Sequence, residues 1–434
     1  MRKIITFLGL NPRETEYQWN GGMHKARVFP QVLRERLAGQ YDQMLVFVTQ
    51  EAKQKVLPIL NPDEDPKLVP VDIPTPTGEA DYWRLFECLT ERVDEGDTVI
   101  FDITHGFRSI PFLVFLAAAY LKAAKGVTIE GIYYGALEMG QPAPVIDLGA
   151  VGRVRAITSQ EALEMGRPAP VIDLSPFASL LDWLAATNQF IRTGSAADLA
   201  QVLRSGKPQG RSSVRRLADK LEGLSLALML GYPLEAMRRA DAFKRKLATV
   251  CEDESALPAP FRLLLGRLQK EYAARALAEP KGNVRENLRI QLDLLDWYVK
   301  NNQVIQAMAL AREWVVSALA WKATGQLVLD EVERKEWERV VNGIARAKRG
   351  GSDEPVPEGT PLSHEQEQVV AELWDQLGKM RNDLAHAGMK PSPTKPEKIV
   401  GKAKEIQQQI RDLAERLGVC APCPGDDPSP EDAA

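Results

Sequence analysis

The first third of the chain alternates short apolar runs with segments whose apolar residues recur at helical spacing. Five runs have the length and the Val, Ile, Phe and Tyr content of β-strands: Lys3 to Leu10, Met44 to Thr49, Leu68 to Ile73, Thr98 to Thr104 and Val127 to Ala136. The segments between them with helical spacing are His24 to Leu37, Gln50 to Leu60, Ala80 to Val93 and Pro111 to Ala124. This alternation predicts a mostly parallel, Rossmann-like α/β sheet with helices on both faces.

From Ser175 onward the strand pattern gives way to helical periodicity. The predicted helices are Arg215 to Leu230, Leu234 to Ala248, Pro260 to Leu277, Arg285 to Val299 and Gln303 to Thr324. A Gly- and Pro-rich acidic stretch at 350–361 predicts a connection, and Ser363 with Gln366 then fits a capping box that begins another helix. The predicted fold class is therefore an α/β N-terminal domain followed by an all-α helical C-terminal domain.

Net charge and hydropathy limit the kinds of partner that the protein can bind. The 434 residues include 55 Lys and Arg against 59 Asp and Glu, a net charge of -4, which excludes a globally basic nucleic-acid coat. An anionic ligand must therefore bind a local basic patch. The longest strongly apolar stretch, Phe112 to Ala124, contains a lysine and is shorter than the roughly 20 residues of a membrane helix. We expect a cytoplasmic protein that does not contact the membrane.

The cysteines and an internal repeat do not predict a further functional site. Four cysteines in so long a chain do not make a disulfide framework. Cys420 and Cys423 have the spacing of a metal knuckle or redox pair, but no second pair lies near them in sequence, so we expect thiols on an acidic tail and no metal site. Residues 136–148 recur at 162–174 with Gln141 against Arg167 as the one mismatch, which indicates a tandem duplication whose first copy is the insertion.

The first candidate site follows the strand predicted at Thr98 to Thr104. A helix that begins near Pro111 offers free amides and the positive end of its dipole, and Arg108 adds a guanidinium that matches phosphate oxygens. The hydroxyl and imidazole groups of Thr104, His105 and Ser109 can bind ribose or phosphate. We expect the loop that begins at Gly9 to lie on the same edge of the sheet.

An alternative interpretation needs no ligand at this site. In it, Asp102 and Thr104 cap the helix and Arg108 pairs with a carboxylate. The glycine-rich loops typical of ATPases and dehydrogenases are absent from the sequence. If the edge binds a ligand, we therefore expect an unusual, nucleotide-like one.

The second candidate site is Arg381, Asn382 and His386, inside the helix that follows Ser363. Helical spacing places Asn382 and His386 one turn apart, whereas Arg381 lies about 140° from His386 around the axis. A site that uses both the arginine and the histidine therefore needs a bend, a long reach or a second copy of the helix across a two-fold axis. RNA can be cleaved by attack of a 2′-hydroxyl on the adjacent phosphate. In such a reaction the imidazole can act as a general acid or base, and the guanidinium can stabilise the negative charge of the phosphorane. A solvated arginine and a surface histidine are the alternative.

The chain resembles the CRISPR-associated ancillary ribonucleases of type III systems, in which a Rossmann-like CARF domain precedes a helical HEPN domain. The resemblance rests on six segments in the family order: Ile4 to Gly9, Asp102 to Pro111, Tyr134 to Glu138, Asp173 to Trp183, Ala309 to Trp314 and Arg381 to His386. It implies a dimer or larger even-numbered oligomer that binds a cyclic oligoadenylate and then cleaves single-stranded RNA without a cofactor. The implied catalytic residues are Arg381, Asn382 and His386. The implied ligand-binding residues are Gly9, Asn11, Thr104, His105, Gly106, Phe107, Arg108 and Ser109.

We therefore expect a CARF sensing domain at 1–180, a helical connector at 181–300, a HEPN ribonuclease domain at 301–420 and an acidic tail at 421–434. The expected function is a cyclic-oligoadenylate-activated, metal-independent endoribonuclease in antiviral defence. One alternative is a non-catalytic sensor whose helical half binds a partner. Another is a CARF domain that slowly cleaves its own messenger.

Overall fold

The computed structural model describes residues 1–140, 168–205, 211–252, 259–348, 362–389 and 391–420. It divides the chain into two compact units, Met1–Asp182 and Trp183–Ala434. The first unit contains a mixed sheet and the second is built from helices, which confirms the predicted fold class. The finer division of the helical part into a connector and a ribonuclease domain stays a prediction.

Within its described residues, the first unit contains one sheet of eight strands: β1 (Arg2–Phe7), β2 (Thr15–Trp19), β3 (Gly22–Ala26), β4 (Gln43–Val48), β5 (Leu68–Asp72), β6 (Thr98–Asp102), β7 (Thr128–Gly135) and β8 (Ala169–Asp173). Their order across the sheet is β3-β2-β8-β7-β6-β1-β4-β5. Its helices are α1 (Phe29–Arg36), α2 (Gln50–Lys55), α3 (Leu57–Leu60), α4 (Glu79–Glu91) and α5 (Ile110–Lys125), and α6 (Ser175–Thr193) begins after β8. Strands β7, β6, β1, β4 and β5 run parallel, as the sequence predicted.

The predicted helix His24 to Leu37 is wrong at its start. His24 lies in β3, which pairs antiparallel with β2, and α1 begins only at Phe29. The turn between the two strands is Asn20-Gly21, and both residues have positive φ angles, 47° and 81°. Asn-Gly is the dipeptide that a two-residue hairpin of this handedness favours. Residues expected in one loop and one helix therefore form a hairpin that extends the sheet through β8.

The central strands are buried on both faces of the sheet. Along β1, Ile5 and Phe7 pack into the core beneath α4 and α5, whereas Ile4 and Leu8 pack into the core beneath α1 and α2. Alternate side chains of a strand point to opposite faces, so an almost unbroken apolar run satisfies both cores. This packing fixes the carboxyl ends of β1 and β6 side by side.

The second unit is all-helical within its described residues. Its helices after α6 are α7 (Ala197–Ser205), α8 (Arg211–Met229), α9 (Pro233–Glu252), α10 (Ala259–Ala273), α11 (Val284–Lys300), α12 (Val304–Thr324), α13 (Glu331–Lys348), α14 (His364–Ala385) and α15 (Pro396–Leu417). Helix α12 contributes Trp314, whose side chain is fully buried in the common core. The helix predicted at Pro260 to Leu277 ends at Ala273, four residues early.

Two details bear on the sequence predictions. The Ser363 hydroxyl accepts a hydrogen bond from the Gln366 amide, and the Gln366 side chain accepts one from the Ser363 amide, so the capping box is confirmed. The inserted part of the repeat at 141–148 and Cys423 lie outside the described residues. Among the described helices, none combines the length and apolar character needed to cross a bilayer.

Candidate functional site

The two loops predicted to share a sheet edge do meet there. Strands β1 and β6 are parallel neighbours, so the loop at Gly9 and the loop at 104–109 leave the same edge. A Cβ placed on Gly9 would lie 3.6 Å from the Gly106 amide nitrogen and 3.8 Å from the His105 Cβ. Asn11 is exposed farther along the first loop. A ligand at this edge would therefore face backbone from both loops.

Thr104 is held inside the sheet rather than at a helix end. Its hydroxyl accepts a hydrogen bond from the Gly135 amide at 2.8 Å, and its amide donates to Asp102 Oδ1 at 2.8 Å. The fully buried Asp102 also accepts a hydrogen bond from the Thr6 hydroxyl at 2.7 Å. The alternative in which Asp102 and Thr104 cap the helix after the loop is therefore wrong, because both side chains bind neighbouring strands.

His105 performs a structural task. Its Nε2 atom accepts a hydrogen bond from the Phe29 amide at 3.0 Å, which satisfies the first free donor of α1. An imidazole nitrogen that accepts carries no proton, so the ring is neutral with its proton on Nδ1. Burial lowers the pKa of His105 and outweighs the nearby Asp102, which acts in the opposite direction. A ligand that binds here could meet Nδ1, but Nε2 is already occupied.

Gly106, Phe107 and Ser109 fix the course of the loop. Gly106 has a φ of +107°, and a Cβ there would lie 3.2 Å from the Phe7 Cβ. Phe107 is partly buried against the core beneath α5. The Ser109 hydroxyl donates to the Tyr82 hydroxyl at 2.9 Å. Phe107 and Ser109 thus anchor the loop from both sides, which leaves their roles as ligand contacts as predictions.

The start of α5 offers fewer free amides than the sequence led us to expect. The Ile110 amide donates to the Phe107 carbonyl at 2.9 Å, and Pro111 has no amide hydrogen. Arg108 is exposed, and no carboxylate among the described residues forms an ion pair with it. The edge therefore presents one exposed guanidinium beside the loop backbone, which is a setting for a phosphate.

The second candidate site lies at the end of α14. Arg381, Asn382 and His386 are all exposed. His386 is the residue that ends the helix, and its amide donates to the Asn382 carbonyl at 3.2 Å, so the two side chains lie one turn apart. Arg381 is placed away from them by the helix geometry, as predicted. A single helix thus brings Asn382 and His386 together, while Arg381 faces another direction.

Sequence reasoning missed several residues that shape the first site. Tyr82 anchors Ser109, and the amide of Phe29 orients His105. Tyr17, from the unpredicted hairpin, is fully buried, and its hydroxyl has no hydrogen-bond partner within the described part of the chain. Burial raises the pKa of Tyr17, and the charge of Asp102 adds to that effect. A tyrosine in a strand of alternating pattern was the available signal.

These observations define a class: a Rossmann-like sheet with a phosphate-compatible loop at its carboxyl edge, followed in the chain by an all-helical region. Residues 179–276 match the family profile described as CRISPR-associated protein MJ1674, second domain. The chain is also 28% identical over 164 residues to CRISPR-associated protein MJ1674 of Methanocaldococcus jannaschii. That alignment covers 37% of this chain and 20% of the relative, so the chain spans about a fifth of the relative's length.

Both matches are to CRISPR-associated proteins, which confirms that part of the sequence resemblance. The match at 179–276 falls on the helices α6 to α10 and not on either candidate site. The CARF and HEPN assignments stay predictions. No three His, Cys, Asp or Glu side chains cluster as a metal site would require in the described ranges.

Proposed function

We propose that this protein is a metal-independent endoribonuclease that cleaves single-stranded RNA when a cyclic oligoadenylate binds its N-terminal sheet. The observation that carries the proposal is the exposed end of α14, where Asn382 and His386 lie one turn apart and Arg381 is also exposed. These groups supply an acid or base near neutral pH, an amide that hydrogen-bonds RNA and a charge for the phosphorane. The similarity to CRISPR-associated proteins supports the same proposal.

The sheet edge supports the activation step. Arg108 lies beside a loop whose backbone is fixed by Gly106 and by the Ser109 to Tyr82 hydrogen bond. A guanidinium on a preorganised loop binds a phosphate without first paying the entropy of ordering that loop. A ring with several phosphates would engage two such loops from two chains. Activation is then a coupling free energy between the messenger site and the RNA site.

Helix α5 supports the homodimer that this arrangement requires. Phe112, Leu116 and Tyr120 recur every four residues along one face, and their exposed fractions are 78%, 62% and 48%. Aromatic contacts continue the surface onto α4, because Tyr120 contacts Phe86 and Phe86 contacts Trp83. A contiguous run of exposed apolar side chains along one helix face supports an interface at this face. The loop that carries Arg108 leads into α5, so pairing two copies through α5 about a two-fold axis parallel to this helix would place the two loops on the same side of the dimer.

The test combines purified protein, a labelled single-stranded RNA and a panel of cyclic adenylates of different ring size, with EDTA present. We expect cleavage only when one of the rings is added. His386→Ala should lose cleavage by about 10²- to 10⁴-fold, the usual contribution of a general acid or base. His364→Ala is the matched control, because His364 is the exposed first residue of the same helix, and this variant should keep full activity.

Other results would select among the alternatives. Undiminished cleavage by His386→Ala would refute the ribonuclease site. Binding of a cyclic adenylate with no RNA product under any condition would establish the non-catalytic sensor instead. Incubating a labelled ring with His386→Ala protein tests self-cleavage of the messenger, since Thr104, His105 and Arg108 remain intact in that variant.

A further inference from the structure

Arg312 lies partly buried close to the second candidate site. It belongs to α12, and its side chain is 18% exposed. The guanidinium stacks over the Trp374 ring of α14, 4.0 Å from the ring centroid. The Trp374 indole donates a hydrogen bond to the Asn342 side chain of α13 at 2.9 Å. Three helices therefore fix this arginine in one position.

The charge of Arg312 is poorly neutralised. Its ion-pair partner is Glu338, at 3.9 Å, which is the outer limit of such a contact. A guanidinium carries five N–H donors, and we find no hydrogen-bond acceptor for Arg312 in the described ranges. Burial lowers the pKa of Arg312, the negative charges of Glu338 and Glu313 oppose that shift, and the positive charge of Arg381 adds to it. A partly buried arginine with unused donors and a second arginine nearby is a setting that attracts an anion.

Open space lies on the surface of α14 between Arg381 and the ring of Trp374, on which Arg312 stacks. Trp374, Gly378 and Arg381 follow each other at spacings of four and three residues, so they share one face of the helix. A Cβ built on Gly378 would meet nothing within 4 Å. The surface of α14 at Gly378, between Trp374 with its stacked Arg312 on one side and Arg381 on the other, is therefore open, and we call it the notch.

We propose that Arg312 and Arg381 form a two-guanidinium clamp that holds a backbone phosphate of the RNA strand in the notch at Gly378. This proposal rests on the proposed ribonuclease function and deepens it, since it assigns a second guanidinium, that of Arg312, to the phosphate that Arg381 contacts. Arg312 acts through the position of the RNA and is a positioning residue. The stack on Trp374 leaves the edge of the guanidinium, which carries its donors, directed away from the ring face.

The test measures RNA binding in a His386→Ala background, so that the strand stays intact. Binding of a short fluorescent single-stranded RNA is followed by anisotropy over a series of salt concentrations, with and without the activating cyclic adenylate. Arg312→Met keeps the apolar contact with Trp374 and removes the charge. We expect the Kd for RNA to rise roughly 10- to 100-fold, as for loss of a charged hydrogen bond. The salt slope, which is the slope of the logarithm of the binding constant against the logarithm of the salt concentration, should decrease in magnitude by about 0.7.

A second variant leaves both arginines in place. Gly378→Leu fills the notch and should weaken binding to a similar extent, while the better helix propensity of leucine preserves the fold. Gly401→Leu is the matched control, because Gly401 is an exposed glycine of α15 whose added Cβ would also meet nothing within 4 Å. It should bind RNA like the parent. Arg312→Lys, which restores the charge, should recover the salt slope but not the full affinity.

An unchanged salt slope in a folded Arg312→Met protein would overturn the clamp. If that variant does not fold, normal binding by Gly378→Leu overturns it instead, as does a parent that binds no RNA. The proposed function fails separately: wild-type protein that binds RNA through the clamp but never cleaves it would refute the ribonuclease and leave the clamp standing.

Discussion

Replacing Gly106 by alanine tests whether the loop at the sheet edge is as rigid as its geometry implies. Gly106 has a φ of +107°, a conformation that residues with a side chain rarely adopt. The added methyl group would lie 3.2 Å from the Phe7 Cβ and 3.4 Å from the Ile110 Cγ1. Phe7 and Ile110 are both buried, so neither can move aside without disturbing the core.

The expected cost has two parts. An unfavourable backbone conformation costs about 1 to 3 kcal/mol, and forcing a methyl group into a packed site adds about 1 to 3 kcal/mol. A combined destabilisation of about 2 to 6 kcal/mol should lower the melting temperature of the N-terminal unit by roughly 4 to 24 °C. The messenger should also bind more weakly, because the strained loop carries Arg108.

Calorimetry of the full-length protein measures the effect, with Gly39→Ala as the control. Gly39 also has a positive φ, +72°, but an added Cβ would meet nothing within 4 Å. That substitution measures only the destabilisation caused by the left-handed backbone conformation, which is about 1 to 2 kcal/mol. If Gly106→Ala melts no lower than Gly39→Ala, the contact with Phe7 is not rigid, and the argument for a preorganised loop fails.

Two further predictions concern acid stability and assembly. Burial opposes ionisation of Asp97, but hydrogen bonds from Lys3 and the amino-terminal ammonium prevail and lower its pKa from 3.8 to about 2. A pKa lower in the folded state than in the unfolded state stabilises the fold above about pH 4, and this contribution of about 2 kcal/mol is lost as the pH falls towards 2. The free energy of unfolding, measured with denaturant at a series of pH values, should fall in this way in the wild type and not in Asp97→Asn. The same dependence on pH between 4 and 2 in both proteins would contradict the prediction. For assembly, Leu116→Glu should convert the proposed homodimer to a monomer in light scattering, whereas substitution of the exposed Leu263 by glutamate should not. A Leu116→Glu variant that stays dimeric would show that α5 is not the interface.

The sequence predicted the parallel core of the sheet because buried parallel strands are long unbroken apolar runs. It missed the hairpin of β2 and β3, where the residues that are buried or half-buried alternate with exposed ones and each strand has five residues. The Asn20-Gly21 turn was the available signal. Its flanking segment from His24 onward also matches helical spacing, and only the pairing of β3 with β2, which itself pairs with β8, decides between the two patterns.

The polar loop was predictable, but the use of its atoms was not. The sequence placed Thr104 to Ser109 at the end of a strand, where the structure also has them. It could not show that His105 is held by an amide 76 residues away or that Ser109 binds a tyrosine hydroxyl 27 residues away. Hydrogen bonds that close over such distances depend on how helices pack against the sheet. Polar side chains that a sequence motif suggests for ligand binding can therefore already be hydrogen-bonded within the fold.

Helix α14 combines two tasks that its geometry keeps apart. On one side, Arg381 faces the notch at Gly378 and the stacked Arg312, which together favour phosphate. On the other side, Asn382 presents an amide suited to hydrogen bonding and His386 presents an imidazole suited to proton transfer. One turn of helix cannot direct both sides at the same phosphate, so under the proposed function a single chain would bind RNA without the complete set of catalytic groups. A second copy could supply the missing side, so that assembly and activation would control cleavage more strongly than RNA binding.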